Sequence, residues 1–194
     1  MSKTVFQDKV FPRHISDLMS LMQMMVFNGT DGEEKWDTYL SLKQKEYVAL
    51  GISQYYQCKF CIDHHTKALL KVDQVQNNTL SRNINSIVLF LRIDTRTITE
   101  TEIEQWINSW RKFSRHLSID TNDQAIPYLI GLGVGIARND EFLIHFCGNE
   151  IKPIFVEQDI ELSKVIGELE AVVIFMKAAV SKNRVVDKIN LLLE

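Results

Sequence analysis

The sequence predicts an all-α fold: a single-domain helical bundle of about seven to eight helices over residues 1–194. Three observations carry this reading. Gly and Pro are scarce, 8 and 3 in 194 residues, so few positions interrupt a helix. Alternating runs rich in β-branched residues are hard to find. Apolar residues recur instead at helical spacing. A chain of this length fits one domain, or at most two small ones, and can bury a sizeable core without staples.

The elements follow in order. "PRHISDLMSLMQMMVF", 12–27, opens with Pro12 and closes at Asn28 and Gly29; it reads as an ordinary buried helix. Its segment "LMSLMQMMVF" is as apolar as the middle of a signal peptide. Asp8, Pro12 and Asp17 precede it and no small-residue cleavage site follows, so export is not expected. A long helix is expected from about Asp31 or Glu33 to Tyr55 or Tyr56, with a second cap at Ser41. A short helix should begin near Cys58 and end near Leu70. The next covers about 73–93, with Leu80, Ile84, Ile87, Val88 and Leu91 on one side.

Thr99 and Glu102 form a capping box. It opens a helix to about Leu117, striped by Ile103, Trp106, Ile107, Trp110 and Phe113. Residues 121–151 read as one or two largely buried helices. The last helix spans about 155–181, with Leu162, Val165, Ile166, Leu169, Val172, Val173 and Met176 as a continuous stripe. The tail "VVDKINLLLE" fits helix and strand equally. The candidate joint is "RIDTRTIT", 92–99, rich in β-branched and turn residues.

Charge and hydropathy exclude several functions. A formal charge of -3 and a pI near 6.0 argue against a nucleic-acid partner, which usually meets a basic face. No polybasic run is present for anionic lipid. The longest strongly apolar uncharged run, "AIPYLIGLGVGIA" at 125–137, is too short to cross a bilayer, so no membrane role is expected. Three cysteines are too few for a disulfide-stapled secreted domain. A cytoplasmic, reducing compartment is expected, and there a close Cys pair is catalytic or metal-binding.

Several features are most simply structural. Gly131, Gly133 and Gly135 lack the sixth-position Gly and the preceding strand of a dinucleotide fingerprint, and mark close helix packing. The methionines at 19–25 are core filler or a subunit contact. Trp106 and Trp110 are core residues. His14 and His116 stand alone. His145 and Cys147 face about 200° apart on a helix; Cys147 is kept as a fourth metal ligand or a buried thiol.

The stretch "YYQCKFCIDHH", 55–65, carries the chemistry. On a helix starting at Cys58, Cys61 lies on the same face and His65 one turn further along it. His64 points about 100° away. Backbone N–H groups at the helix start favour a thiolate, and an imidazole one turn from Cys61 can take its proton. Upstream, "KEYVALGISQYYQ" carries Glu46. The small residues Ala49, Gly51 and Ser53 would let the next helix approach closely. If the chain reverses near Gln57, Glu46 lies about 15 Å up its helix and His65 about 10 Å along the next. The two then meet at one level, directly or through one water, and the carboxylate orients the imidazole.

"LSLKQKEYVALGISQYYQCKFCIDHHTKALLK", 40–71, resembles the core of the AhpD-like alkylhydroperoxidase / carboxymuconolactone decarboxylase family. Glu46, Cys58, Cys61 and His65 match that family's Glu, Cys-x-x-Cys and His in identity and spacing. The resemblance implies an AhpD-like all-α unit, with the redox core at about 31–93. It implies that Glu46 and His65 relay the proton of Cys61, that the Cys61 thiolate attacks a hydroperoxide, and that Cys58 resolves the sulfenic acid as a disulfide. An external dithiol or a reductase protein partner then restores the thiols. No cofactor is implied, and a homo-oligomer is expected. The decarboxylase branch typically lacks the cysteine pair. The best-known peroxidase members carry a second His immediately before the second Cys, where this chain has Phe60. The alternative is a zinc-binding or redox-sensing module built on Cys58, Cys61 and His65 without peroxidase turnover. Cys147, His145 or Glu46 would then serve as a fourth zinc ligand.

Overall fold

The computed structural model describes residues 11–28, 38–73 and 77–193; for 28, 77–83 and 190–193 it describes the backbone alone. Among the described residues the structure holds eight α-helices and no strand, as expected. They are α1 (Arg13–Gln23), α2 (Leu42–Tyr55), α3 (Lys59–Val72), α4 (Asn77–Leu91), α5 (Glu100–Thr121), α6 (Ile126–Arg138), α7 (Glu141–Val156) and α8 (Leu162–Leu193). A π-helical turn, Met24–Asn28, continues α1.

Local signals set most boundaries. Ser41 caps α2 in a reciprocal box with Gln44, and Thr99 caps α5 in the same way with Glu102. Residues 38–41 are not helical, so α2 starts at the second cap rather than as one long helix; Asp31 and Glu33 lie outside the described residues. Asp140 caps α7 by accepting from the Leu143 N–H. Asn122 and Asn139, both left-handed, close α5 and α6. The segment 121–151 therefore resolves into two helices. The tail is helical and continues α8 to Leu193.

Helices α2 and α6 form the centre. Every residue from Lys45 to Gln54 is buried. In α6 the buried run includes Gly131, Gly133 and Gly135. A Cβ on Gly133 would lie 2.8 Å from Val48 Cγ1, and one on Gly131 2.6 Å from Cys147 Sγ. Both glycines are there for close approach. Gly51 serves the same purpose, but toward α6 rather than α3: a Cβ there would meet Ile130 Cγ2 at 2.6 Å. Ser53 instead turns its hydroxyl back onto the Ala49 carbonyl at 2.6 Å.

Two expectations about burial are corrected. Helix α1 buries no residue, and Leu18 and Leu21 are about half exposed. The apolar segment 12–27 is a cover on the bundle, not a core helix; Phe27 is its buried anchor. Phe113 is 41 % exposed, although Trp106 and Trp110 on the same helix are buried and stacked. The segment 92–99 is pinned to the bundle: Thr95 donates to the buried Asp140 carboxylate, and Arg138 donates to the Leu91 and Ile93 carbonyls. Among the described residues no helix is long and apolar enough to cross a membrane.

One buried ion pair fastens α8 to the entry of α2. The Lys45 ammonium lies 2.5 Å from the Glu168 carboxylate. The same carboxylate accepts from the Tyr39 and Leu40 N–H groups at 2.6 and 2.8 Å. Lys45 also donates to the Val26 carbonyl at 3.0 Å. Glu168→Ala would strand a buried ammonium and two amides, and is expected to cost about 3–5 kcal/mol. A denaturant titration checks this. A loss of about 1 kcal/mol or less would class the pair with solvent-screened surface bridges.

Candidate functional site

The turn between α2 and α3 builds the site. Tyr56 is the C-cap of α2 and Gln57 follows with φ 58°. The Gln57 N–H donates to the Gln54 carbonyl at 3.1 Å and the Cys58 N–H to the Ser53 carbonyl at 3.0 Å. This is the double closure in which a left-handed residue ends a helix. A glutamine there lacks glycine's freedom, and the turn is held from outside. Arg92 donates to the Gln54 and Tyr55 carbonyls, and Arg184 donates to that of Tyr56 at 2.8 Å.

Cys58 is the N-cap of α3, so the helix starts at Lys59, one residue later than the cysteine itself. Its sulfur accepts from the Cys61 N–H at 3.3 Å. The two cysteines are joined as a disulfide, with Cα atoms 5.3 Å apart. Both side chains are buried.

Helices α2 and α3 run antiparallel. Tyr47, near the start of α2, donates to Asp73 at the end of α3 at 2.9 Å. Burial, reinforced by that carboxylate, pushes the Tyr47 phenol up and keeps it a neutral donor. The same pairing places Glu46 beside His65: Glu46 Oε2 and His65 Nδ1 are 2.7 Å apart, and both residues are buried. The contact is direct, without an intervening water. A carboxylate can only accept, so Nδ1 carries the proton and Nε2 is left as the basic nitrogen. The Phe27 ring lies against His65, centroids 5.5 Å apart, and shields the pair.

Cys61 and His65 open onto one cavity of about 310 Å³. Its apolar walls are Met19, Phe60, Phe175 and Ala179, and Lys182 and Asn183 add polar groups from α8. Cys58 is not among the lining residues. His64 lies off the Cys61–His65 face, as its register requires. It still reaches the cavity, bonds Gln23 Nε2 at 3.1 Å and stacks near Phe60. Desolvation, then the neighbouring His65, hold the His64 imidazole below its usual range.

Cys147 does not join this cluster. It is fully buried against Gly131, and burial pushes its thiol up. Among the described residues no group of three or more His, Cys, Asp or Glu side chains is placed to hold a metal ion. Cys147 is a buried free thiol.

Sequence reasoning missed Asn183. Its side-chain N–H group lies 3.3 Å from Cys61 Sγ and 3.7 Å from Cys58 Sγ. A signal for it was present: Met176, Val180 and Asn183 fall on one helical stripe, so the asparagine occupies an apolar register. The sequence pattern places the end of that helix near residue 181, short of Asn183. No curated protein and no solved structure matches the chain. Residues 24–77, the segment that carries Glu46, Cys58, Cys61 and His65, match the carboxymuconolactone decarboxylase family, in line with the resemblance of the motif.

Proposed function

We propose that the protein is a thiol-dependent peroxidase or disulfide oxidoreductase of the alkylhydroperoxidase type. The observation that carries the reading is the buried Glu46–His65 pair, whose His65 lines the cavity onto which Cys61 opens. His65 Nε2 takes the Cys61 proton, while Glu46 keeps the imidazole in the required tautomer. The thiolate attacks the terminal oxygen of a hydroperoxide; the O–O bond breaks, the sulfur becomes a sulfenic acid, and the leaving alkoxide takes the proton back from His65. Cys58 then attacks that sulfur, expelling water as the disulfide forms. An external dithiol or a reductase protein reduces it and is itself oxidised. A cytoplasmic location suits this cycle, because the thiols there are reset by a reducing pool.

Stopped-flow oxidation of the reduced protein with a panel of hydroperoxides tests the reading. A second-order thiol oxidation followed by turnover with dithiol is expected. Oxidation once per chain without turnover would favour a redox sensor, and no oxidation at all would remove the peroxidase.

The same reading includes a homo-oligomer. The apolar run 125–137 is buried inside the protomer and offers no contact surface. Support comes from Leu18, Leu21, Met24 and Met25, which are 42–52 % exposed, and from Ile174 at 59 %. Light scattering at micromolar concentration should give a multiple of the 22.5 kDa chain mass; a monomeric mass would remove the oligomer from the proposal.

A further inference from the structure

We propose that Asn183 is a positioning residue for Cys61: its side-chain N–H holds the Cys61 sulfur and stabilises the thiolate form. The inference rests on the redox reading above and deepens it. Asn183 belongs to α8, and is 8 % exposed. It lies on the stripe of Met176 and Val180, both buried, where an amide is costly unless its hydrogen bonds are made. Among the described residues it is the side chain that hydrogen-bonds both sulfurs, and it lies closer to Cys61. The nitrogen faces the sulfurs for a chemical reason. A disulfide sulfur has no hydrogen to donate, so an amide oxygen there would oppose another acceptor.

A donor at that distance discriminates between thiol and thiolate. Hydrogen bonds to ionised acceptors are roughly twice as strong as neutral ones. The contact therefore lowers the thiol's proton affinity. The step it assists breaks the Cys61 S–H bond, leaves the electron pair on sulfur and sends the proton to His65. Asn183 differs from the proton acceptor: His65 Nε2 must be unprotonated to receive the Cys61 proton, so it gives the sulfur no donor before that step. His65 has Nδ1 committed to Glu46, and His64 bonds Gln23. Phe60, at the position where the resembled peroxidases carry a histidine, has no polar atom and is 44 % exposed. Lys182 lines the cavity from α8 as its charged group. Helix α1 contributes Ser16, Ser20 and Gln23, none of which titrates.

The test uses the full reduced chain carrying Cys58→Ser, so that one reactive thiol remains beside the buried Cys147. Iodoacetamide alkylation of Cys61 is followed against pH for Asn183, Asn183→Leu and Asn183→Gln. Asn183→Leu keeps the branched shape and removes the donor; its alkylation midpoint should rise by about one pH unit and its rate at neutral pH should fall about tenfold, with the alkaline plateau unchanged. Asn183→Gln, which keeps an amide, should recover most of the rate. If circular dichroism shows that Asn183→Leu does not fold, Asn183→Ala is read in its place. An unmoved midpoint, a lowered plateau, or a Gln variant as slow as the Leu variant overturns the proposal. Hydroperoxide oxidation is measured in parallel on the wild-type chain. If that chain ignores hydroperoxides while the midpoint still moves, the peroxidase reading falls and the role of Asn183 stands.

Discussion

Cys61→Ser should abolish the reaction with hydroperoxide, lowering the oxidation rate by about 10⁴-fold or more, because it removes the nucleophile that divides the reaction into two easier steps. Cys58→Ser should spare the first step and stop the second. A sulfenic acid should then accumulate on Cys61, where dimedone labelling and mass spectrometry detect it. Two principles compete in this assignment. As the N-cap of α3, Cys58 receives the Cys61 N–H and the positive end of the helix, which lowers a thiol's pKa. Cys61 lines the cavity together with His65. A thiolate that no peroxide can reach has no use, so access favours Cys61. Sulfenic acid trapped in Cys61→Ser instead, on Cys58, would reverse the roles.

The second large effect is expected at the relay. His65→Ala and Glu46→Ala should each slow oxidation at neutral pH by about 10²–10⁴-fold, the usual worth of a positioned general base. Both should recover as pH rises past about 8.5, where an ordinary cysteine thiol ionises unaided. The sign follows from which species reacts: the relay supplies thiolate below the thiol's own pKa, and above it there is nothing left to supply. Glu46→Ala should also lower stability, since it leaves the buried Nδ1–H of His65 without its acceptor. Failure to recover at alkaline pH would mean that the pair builds the site and does not move protons. His64→Ala should change the rate little, because its hydrogen bond goes to Gln23 on α1 and not to the pair. A loss equal to that of His65→Ala would move the relay to His64.

How far the sequence reached follows from the range of the forces involved. Ser41, Thr99 and Asp140 set helix starts through contacts within three residues, so caps can be read by eye. Asp140 gives the weakest of the three signals, because its N3 residue is Leu143 and no Glu or Gln completes a reciprocal box. Cys58, Cys61 and His65 share a face because a helix repeats every 3.6 residues. Glu46 came within reach through one more assumption, that the chain reverses near Gln57, and the structure brings its carboxylate onto His65. The catalytic roles of these four residues remain the proposal that the kinetics above test.

By itself, then, the sequence determined the helical class, the caps at Ser41 and Thr99, and the placing of a cysteine pair and a histidine on one helix face with a carboxylate opposite. Each of these depends on neighbours in the chain or on two adjacent helices. Tertiary structure decided the rest. Asn183 reaches Cys61 from 122 residues away, and no local periodicity specifies which buried stripe faces which helix. Gly51 went to α6 and not to α3 for the same reason. The apolar face of α1 could not be assigned from composition, because whether an apolar stripe is buried depends on the area its neighbours offer. Here they cover Phe27 and leave Leu18 and Leu21 half exposed. Packing between distant segments is a property of shape, and it becomes defined only when all eight described helices are assembled.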